Sequence, residues 1–208
     1  MRSTKALLAI PLAICLLASA GYSQTDATIE VDRASRPADL QQLMYFEGIG
    51  LERLKIRSPE LKGKNFSILI KEFKNGKLTR TETAFNSKED EYFRIKSDTL
   101  EFSVLSKMSD ASEFKLQFQF PGYSAARKFS VDPRNKDTFA LKNFFGPKTQ
   151  LPIDLKGTNY FLAYMMPYVR PDKSSAYCEV AQAGLDPEKL YDTYKIPHYF
   201  LAAIKFED

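Results

Sequence analysis

The stretch Phe114-Lys115-Leu116-Gln117-Phe118-Gln119-Phe120 decides the fold class. Phe114, Leu116, Phe118 and Phe120 alternate without a break with Lys115, Gln117 and Gln119. Side chains alternate faces along a strand, so this period of two describes a half-buried antiparallel strand, apolar inside and polar outside. Pro121-Gly122 stops it. Upstream, Leu100, Phe102 and Val104 alternate with Glu101 and Ser103, and the polar run Ser109 to Ser112 turns one strand into the other. The unit is a hairpin that needs a second layer to cover its phenylalanines.

The same signal recurs on both sides. Phe66, Ile68 and Ile70 lead to Asn75-Gly76, the strongest short hairpin signal, and Leu78 to Phe85 returns with Thr79, Thr81 and Thr83 on its polar face. Leu51 to Arg57, Arg127 to Val131, Leu151 to Leu155 (an edge strand, because it holds Pro152), Asn159 to Met166, Tyr177 to Ala183 and Phe200 to Phe206 are further strands. The segment Phe139 to Phe145 reads as neither strand nor helix unambiguously. Two short helices complete the set. Pro37 opens one in which Leu40, Leu43, Met44 and Phe46 fall near one face, and Asp186-Pro187-Glu188 caps and starts the other. Nine or ten strands with turns every 8 to 15 residues predict a mainly β fold, an antiparallel β-sandwich with two flanking helices.

The N-terminus reads as a cleavable signal peptide over 1–23, with Arg2 and Lys5 ahead of the apolar run Ala6 to Ala20. That run is short for a membrane span, which needs about 20 residues. Cleavage fits after Ala20 or after Ser23, leaving one domain over 24–208. Leu12-Ala13-Ile14-Cys15 has the outline of a lipobox, with bulky Ile14 where a small residue is wanted. The expected location is secreted, periplasmic or at the outer envelope. Loss of Arg2 and Lys5 takes the formal charge from +4 to +2, so the basic balance is a weak argument for anionic partners. Basic patches with interleaved aromatics are missing, which argues against nucleic acid. Cys178 is the one cysteine left after cleavage, so the domain stands on its core without an internal disulfide.

No pattern spells out catalysis or a cofactor. His198 is the single histidine, no G-x-S-x-G frames a serine, and Cys178 has no reactive motif around it. Glu89-Asp90-Glu91 reads as a solvated loop, and Asp132, Asn135 and Asp137 lack the spacing of a calcium loop. The chain holds 16 Phe and 11 Tyr but no Trp. Aromatics at predicted strand ends are the candidate ligand- or membrane-binding residues: Tyr123, Phe144, Phe145, Tyr168 and Tyr177, with Arg170 as the neighbouring cation. Lipid headgroups or a glycan are the ligands such a rim would take.

Phe114 to Gly122, Tyr177-Cys178-Glu179-Val180 and Asp186 to Tyr191 resemble small exported bacterial β-sandwich proteins of uncharacterised function. Gly63-Lys64-Asn65-Phe66, Phe73-Lys74-Asn75-Gly76 and Ala163 to Tyr168, together with the early helix, resemble actinoporin-like cytolysins more faintly. The first resemblance implies an exported, non-enzymatic binding protein. The second implies a membrane-binding, pore-forming protein in which Tyr168, with Tyr177 beside it, meets headgroups. A glycan-directed hydrolase is a third alternative, with no carboxylate pair to assign to it.

Overall fold

The computed structural model describes residues 27–208 except 35, 111, 178–179, 181–183 and 185, and leaves the side chains of 136 and 137 undescribed. The expected signal peptide over 1–23, Cys15 and Cys178 therefore lie outside the described residues. Among the described residues thirteen strands appear where nine or ten were expected. They are β1 (Thr28–Val31), β2 (Gly50–Arg57), β3 (Asn65–Lys74), β4 (Lys77–Asn86), β5 (Thr99–Met108), β6 (Glu113–Phe120) and β7 (Tyr123–Ser130). The chain goes on through β8 (Ala140–Asn143), β9 (Gln150–Pro152), β10 (Thr158–Met165), β11 (Tyr168–Val169), β12 (Ser175–Ala176) and β13 (His198–Glu207). The two helices are α1 (Ala38–Phe46) and α2 (Leu190–Tyr194).

The strands form a six-stranded sheet ordered β7-β6-β5-β2-β1-β9 and a five-stranded sheet ordered β4-β3-β13-β10-β8. The short β11 and β12 make a separate ribbon. All pairings are antiparallel. The fold is mainly β and sandwich-like.

Three of the short strands have simple causes. β1 carries only Ile29 and Val31 as an apolar alternation, too short a pattern to read, and gains its place by pairing β2 and β9. The ribbon strands are two residues each. The hairpin at Asn75-Gly76 forms as read, with φ of 49° and 77°, the left-handed pair that a two-residue turn requires. Pro121-Gly122 also turns a hairpin, so β7 begins at Tyr123 instead of Arg127. The expected strand Tyr177 to Ala183 is not formed at Tyr177 or Val180; the strand there is the two-residue β12, ending at Ala176.

One hydrophobic core lies between the sheets. Inward positions of β3, β5, β6 and β13 supply Phe66, Ile68, Phe102, Val104, Phe114, Phe118, Phe200 and Ile204. The ring of Phe114 lies 4.2 Å from Tyr164, 4.7 Å from Phe200 and 5.4 Å from Phe129. A second, smaller core covers the outer face of the five-stranded sheet. There Phe73, Met165, Tyr199 and Leu201 pack under Tyr168, Ala176, Leu190 and Ile196. This cover explains why β13 is apolar at nearly every position: both of its faces are buried.

Candidate binding site

The aromatics singled out from the sequence do not form one exposed rim. Phe145 is 2% exposed in the main core, and Tyr168 is 5% exposed in the second. Tyr168 lies 5.2 Å from Tyr194, with the Arg170 guanidinium 5.9 Å from its ring centre. Phe144 and Tyr177 are half-buried against the second core. Tyr123 belongs to the main core instead, stacked 4.8 Å from Phe120 and tilted against Phe93 at 4.7 Å. Burial pushes its hydroxyl up to about 12, with the neighbouring Tyr92 adding to the shift. The strand-end aromatics thus act mainly as core caps, whether they open a strand, as Tyr123 and Tyr168 do, or follow one, as Phe144, Phe145 and Tyr177 do.

A different constellation, which the sequence reading missed, sits where the edge of the five-stranded sheet meets β2. In β2, Leu54 and Ile56 point into the core, and the period of two carries Glu52 and Gly50 onto the same inward face. Leu141 of β8 closes against Gly50. A β-carbon on Gly50 would stand 2.5 Å from Ser106 Oγ and 2.9 Å from Leu141 Cβ, so only glycine lets the two sheets approach this closely.

The result is a cleft of about 430 Å³ whose polar lining is Asp32, Arg33, Arg36, Glu52, Lys142 and Asn143, with Tyr177 at its side. Arg36, Leu51, Glu52 and Leu141 also border an adjoining hollow of about 440 Å³ that runs beneath α1 to Gln41, Met44 and Tyr45. Each polar group is held by a specific contact. Arg33 is pinned by the carbonyls of Gly146 and Lys148, the latter accepting at 2.7 Å. Arg36 Nη2 donates to the Leu51 carbonyl at 3.1 Å, while its Nε is shut off from water with no hydrogen-bond partner among the described residues. Asn143 Nδ2 donates to Glu52 Oε1 at 3.1 Å. Lys142 Nζ lies 5.0 Å from the centre of the Tyr177 ring, and the Tyr177 hydroxyl donates to the Thr138 carbonyl. Burial raises the Glu52 carboxyl above its usual 4.5, against the Asn143 hydrogen bond and the charges of Arg36, Arg33 and Lys142.

Above the hollow, α1 packs no side chain fully against the body. Leu40 is 40% exposed, Leu43 55%, Tyr45 91% and Phe46 84%. Most large exposed apolar residues of the described chain are on this nine-residue helix.

His198 and Glu72 form a second polar group, at inward positions of β13 and β3. Among the described residues no group of three or more His, Cys, Asp or Glu is placed to hold a metal, and no helix is long and apolar enough to cross a membrane. Comparison with protein-family models, with curated proteins and with solved structures finds no match in any of the three.

Proposed function

We infer that the chain is an exported, non-enzymatic binding protein built on a single β-sandwich, and that it docks through α1 and the cleft beside it. The observation that carries this reading is the bare apolar surface of α1. Leu43, Tyr45 and Phe46 stand more than half exposed on a helix that takes no part in the core. Apolar groups clustered in this way gain free energy when something covers them, and such patches mark interaction surfaces. The arginines beneath supply charge at the same place. The domain follows a signal peptide in this reading, so the partner is met in the periplasm, at the outer envelope or outside the cell.

A membrane-binding, actinoporin-like role is the second reading. The make-up of α1 favours it: leucine and aromatic side chains beside Arg33 and Arg36 suit an interface between acyl chains and anionic headgroups. A glycan-directed hydrolase is the third; the two acids of the cleft do not favour it, because Glu52 accepts from Asn143 and Asp32 is held by Arg53 and the Ala34 amide.

The experiment is co-sedimentation of the purified protein with insoluble polysaccharides and with phosphatidylcholine vesicles, with and without phosphatidylglycerol. Native protein is compared with a Leu43→Ser, Phe46→Ser double variant, and released reducing ends are assayed. Retention that the double variant loses, without product release, supports the binding reading. Dye leakage from the vesicles turns it toward the pore-forming reading. Release of reducing ends overturns it in favour of the hydrolase, and retention on no surface overturns it outright.

A further inference from the structure

We propose that the cleft between β2 and β8 is a binding site for an acidic saccharide, a sugar whose carboxylate is taken by Arg36, Arg33 and Lys142 and whose hydroxyls are taken by Glu52 and Asn143. This rests on the reading of the chain as a binding protein and names the ligand class of that site.

The cations come first. Arg33, Arg36 and Lys142 all act on the one carboxylate of Glu52, so the cleft holds more positive charge than its own acid balances. Asp32, the other acid on its wall, is 3.6 Å from Arg53 and also accepts from the Ala34 amide. Arg36 then has donors to offer. Its Nη2 spends one hydrogen on the Leu51 carbonyl, which leaves Nη1 and the second Nη2 hydrogen to donate. A ligand carboxylate that meets them gains charge-assisted bonds.

A bare anion would leave the rest of the lining unused. Glu52 keeps one oxygen engaged by Asn143 and has acceptor capacity to spare, and the Asn143 amide has a second hydrogen to donate. An acceptor and a donor side by side suit vicinal hydroxyls. Leu51 and Leu141 give the wall an apolar strip, which suits the C–H face of a sugar ring. Tyr177 holds the Lys142 ammonium over its ring, with its own hydroxyl tied to Thr138, so the lysine is positioned before the ligand arrives. The volume of about 430 Å³ lies within the range of small-molecule sites, roughly 300–1,000 Å³.

The test is isothermal titration calorimetry of the purified protein with trigalacturonate, with neutral galactotriose and with inorganic phosphate. Native protein is compared with Arg36→Gln, Lys142→Gln and the remote surface variant Lys77→Gln, each first checked for an unchanged circular dichroism spectrum. Trigalacturonate binds the native protein, both cleft variants weaken it at least about tenfold, and Lys77→Gln leaves it unchanged. Galactotriose binds at least about tenfold more weakly than the acid. Phosphate binding as tightly as trigalacturonate overturns the saccharide assignment, as does galactotriose matching the acid. Trigalacturonate binding untouched by Arg36→Gln and Lys142→Gln moves the ligand away from the cleft while leaving a binding protein. Silence with all three probes overturns the proposal, and retention in the co-sedimentation assay then shows whether the broader reading survives.

Discussion

His198 Nε2 lies 2.8 Å from Glu72 Oε1, with both side chains about 10% exposed, and Lys74 Nζ meets the same oxygen at 2.8 Å. The pair stands at the end of the main core, where Phe139 and Phe200 lie 5.4 Å and 4.8 Å from the imidazole. Burial alone would raise the Glu72 carboxyl, but hydrogen bonds from His198 and Lys74 overcome that and hold it below its usual 4.5. A depressed carboxyl stabilises the fold above the unfolded-state pKa, and that contribution is lost as pH falls through the folded-state value. Urea denaturation followed from pH 7 down to pH 3 is therefore expected to show an acid limb below about pH 4.5, which Glu72→Gln flattens. His198→Ala leaves a buried acceptor short of a partner and costs about 2–3 kcal/mol at neutral pH. An unchanged acid limb in Glu72→Gln would remove the pair from the stability of the fold.

Glu52 has the opposite sign. Its carboxyl is raised by burial, so the folded state favours the protonated form. The ionised group therefore weighs against folding, and stability falls as pH rises from about 4.5 through the raised folded value. Glu52→Gln keeps the shape and an acceptor for Asn143 while removing the charge. It should be more stable than native protein at pH 7 and match it near pH 4, as read by thermal midpoints. A ligand that adds negative charge beside Glu52 would be bound more tightly as pH falls through the same range.

Gly50 tests how the cleft is built. Gly50→Ala pushes a methyl group onto Ser106 Oγ and Leu141 Cβ, at 2.5 Å and 2.9 Å. Ser106 is 3% exposed, so its hydroxyl has little room to swing away. The expected loss is about 1–3 kcal/mol, the range for overpacking. Adding Ser106→Ala relieves the first contact but not the second, so the double variant recovers part of the loss. Full recovery would show that Leu141 yields freely and that the seam between β2 and β8 is soft.

Much of this architecture was legible in the sequence, for a physical reason. β6 buries one face and wets the other, so its alternation is sharp; Asn75-Gly76 has φ values few residues tolerate, so its turn is unambiguous. β1 was not legible, because a four-residue strand is held by its neighbours and carries too few side chains to show a period. The cleft was half legible. Extending the inward phase of Leu54 and Ile56 by one step places Glu52 inside, and extending Phe200 and Ala202 backwards does the same for His198. A charged residue in phase with a core is the signal, and it was available. That Arg33, Arg36 and Lys142 converge on Glu52 was not, since β8 reaches β2 only through the pairing of distant strands. Strand-end aromatics misled because a ring at the end of a strand reads the same whether it turns outward or, like Phe145, caps the core.

The core itself answers to a single substitution. Phe114 is fully buried and touches rings from β7, β10 and β13, so truncation opens a void that no neighbour can fill without breaking its own stack. Phe114→Ala should lower stability by about 3–5 kcal/mol, measured by urea denaturation with the slope unchanged. A loss below about 1 kcal/mol would mean that the sheets collapse together more readily than their packed rings suggest.

Helix α1 separates stability from binding. Core positions such as Phe114 lose much when truncated because they give up contacts made only in the folded state. Leu43 and Phe46 make few such contacts, being 55% and 84% exposed. Serine at both positions removes apolar surface that water already reaches, at the modest cost in helix propensity of a nine-residue helix. The Leu43→Ser, Phe46→Ser variant should therefore unfold within about 0.5 kcal/mol of native protein and be more soluble at high concentration. If the helix exists to be covered, the same variant loses retention on the surface that the native protein binds. A large loss of stability would show instead that these side chains fold back onto the body in solution, and the docking role of α1 would fall with it.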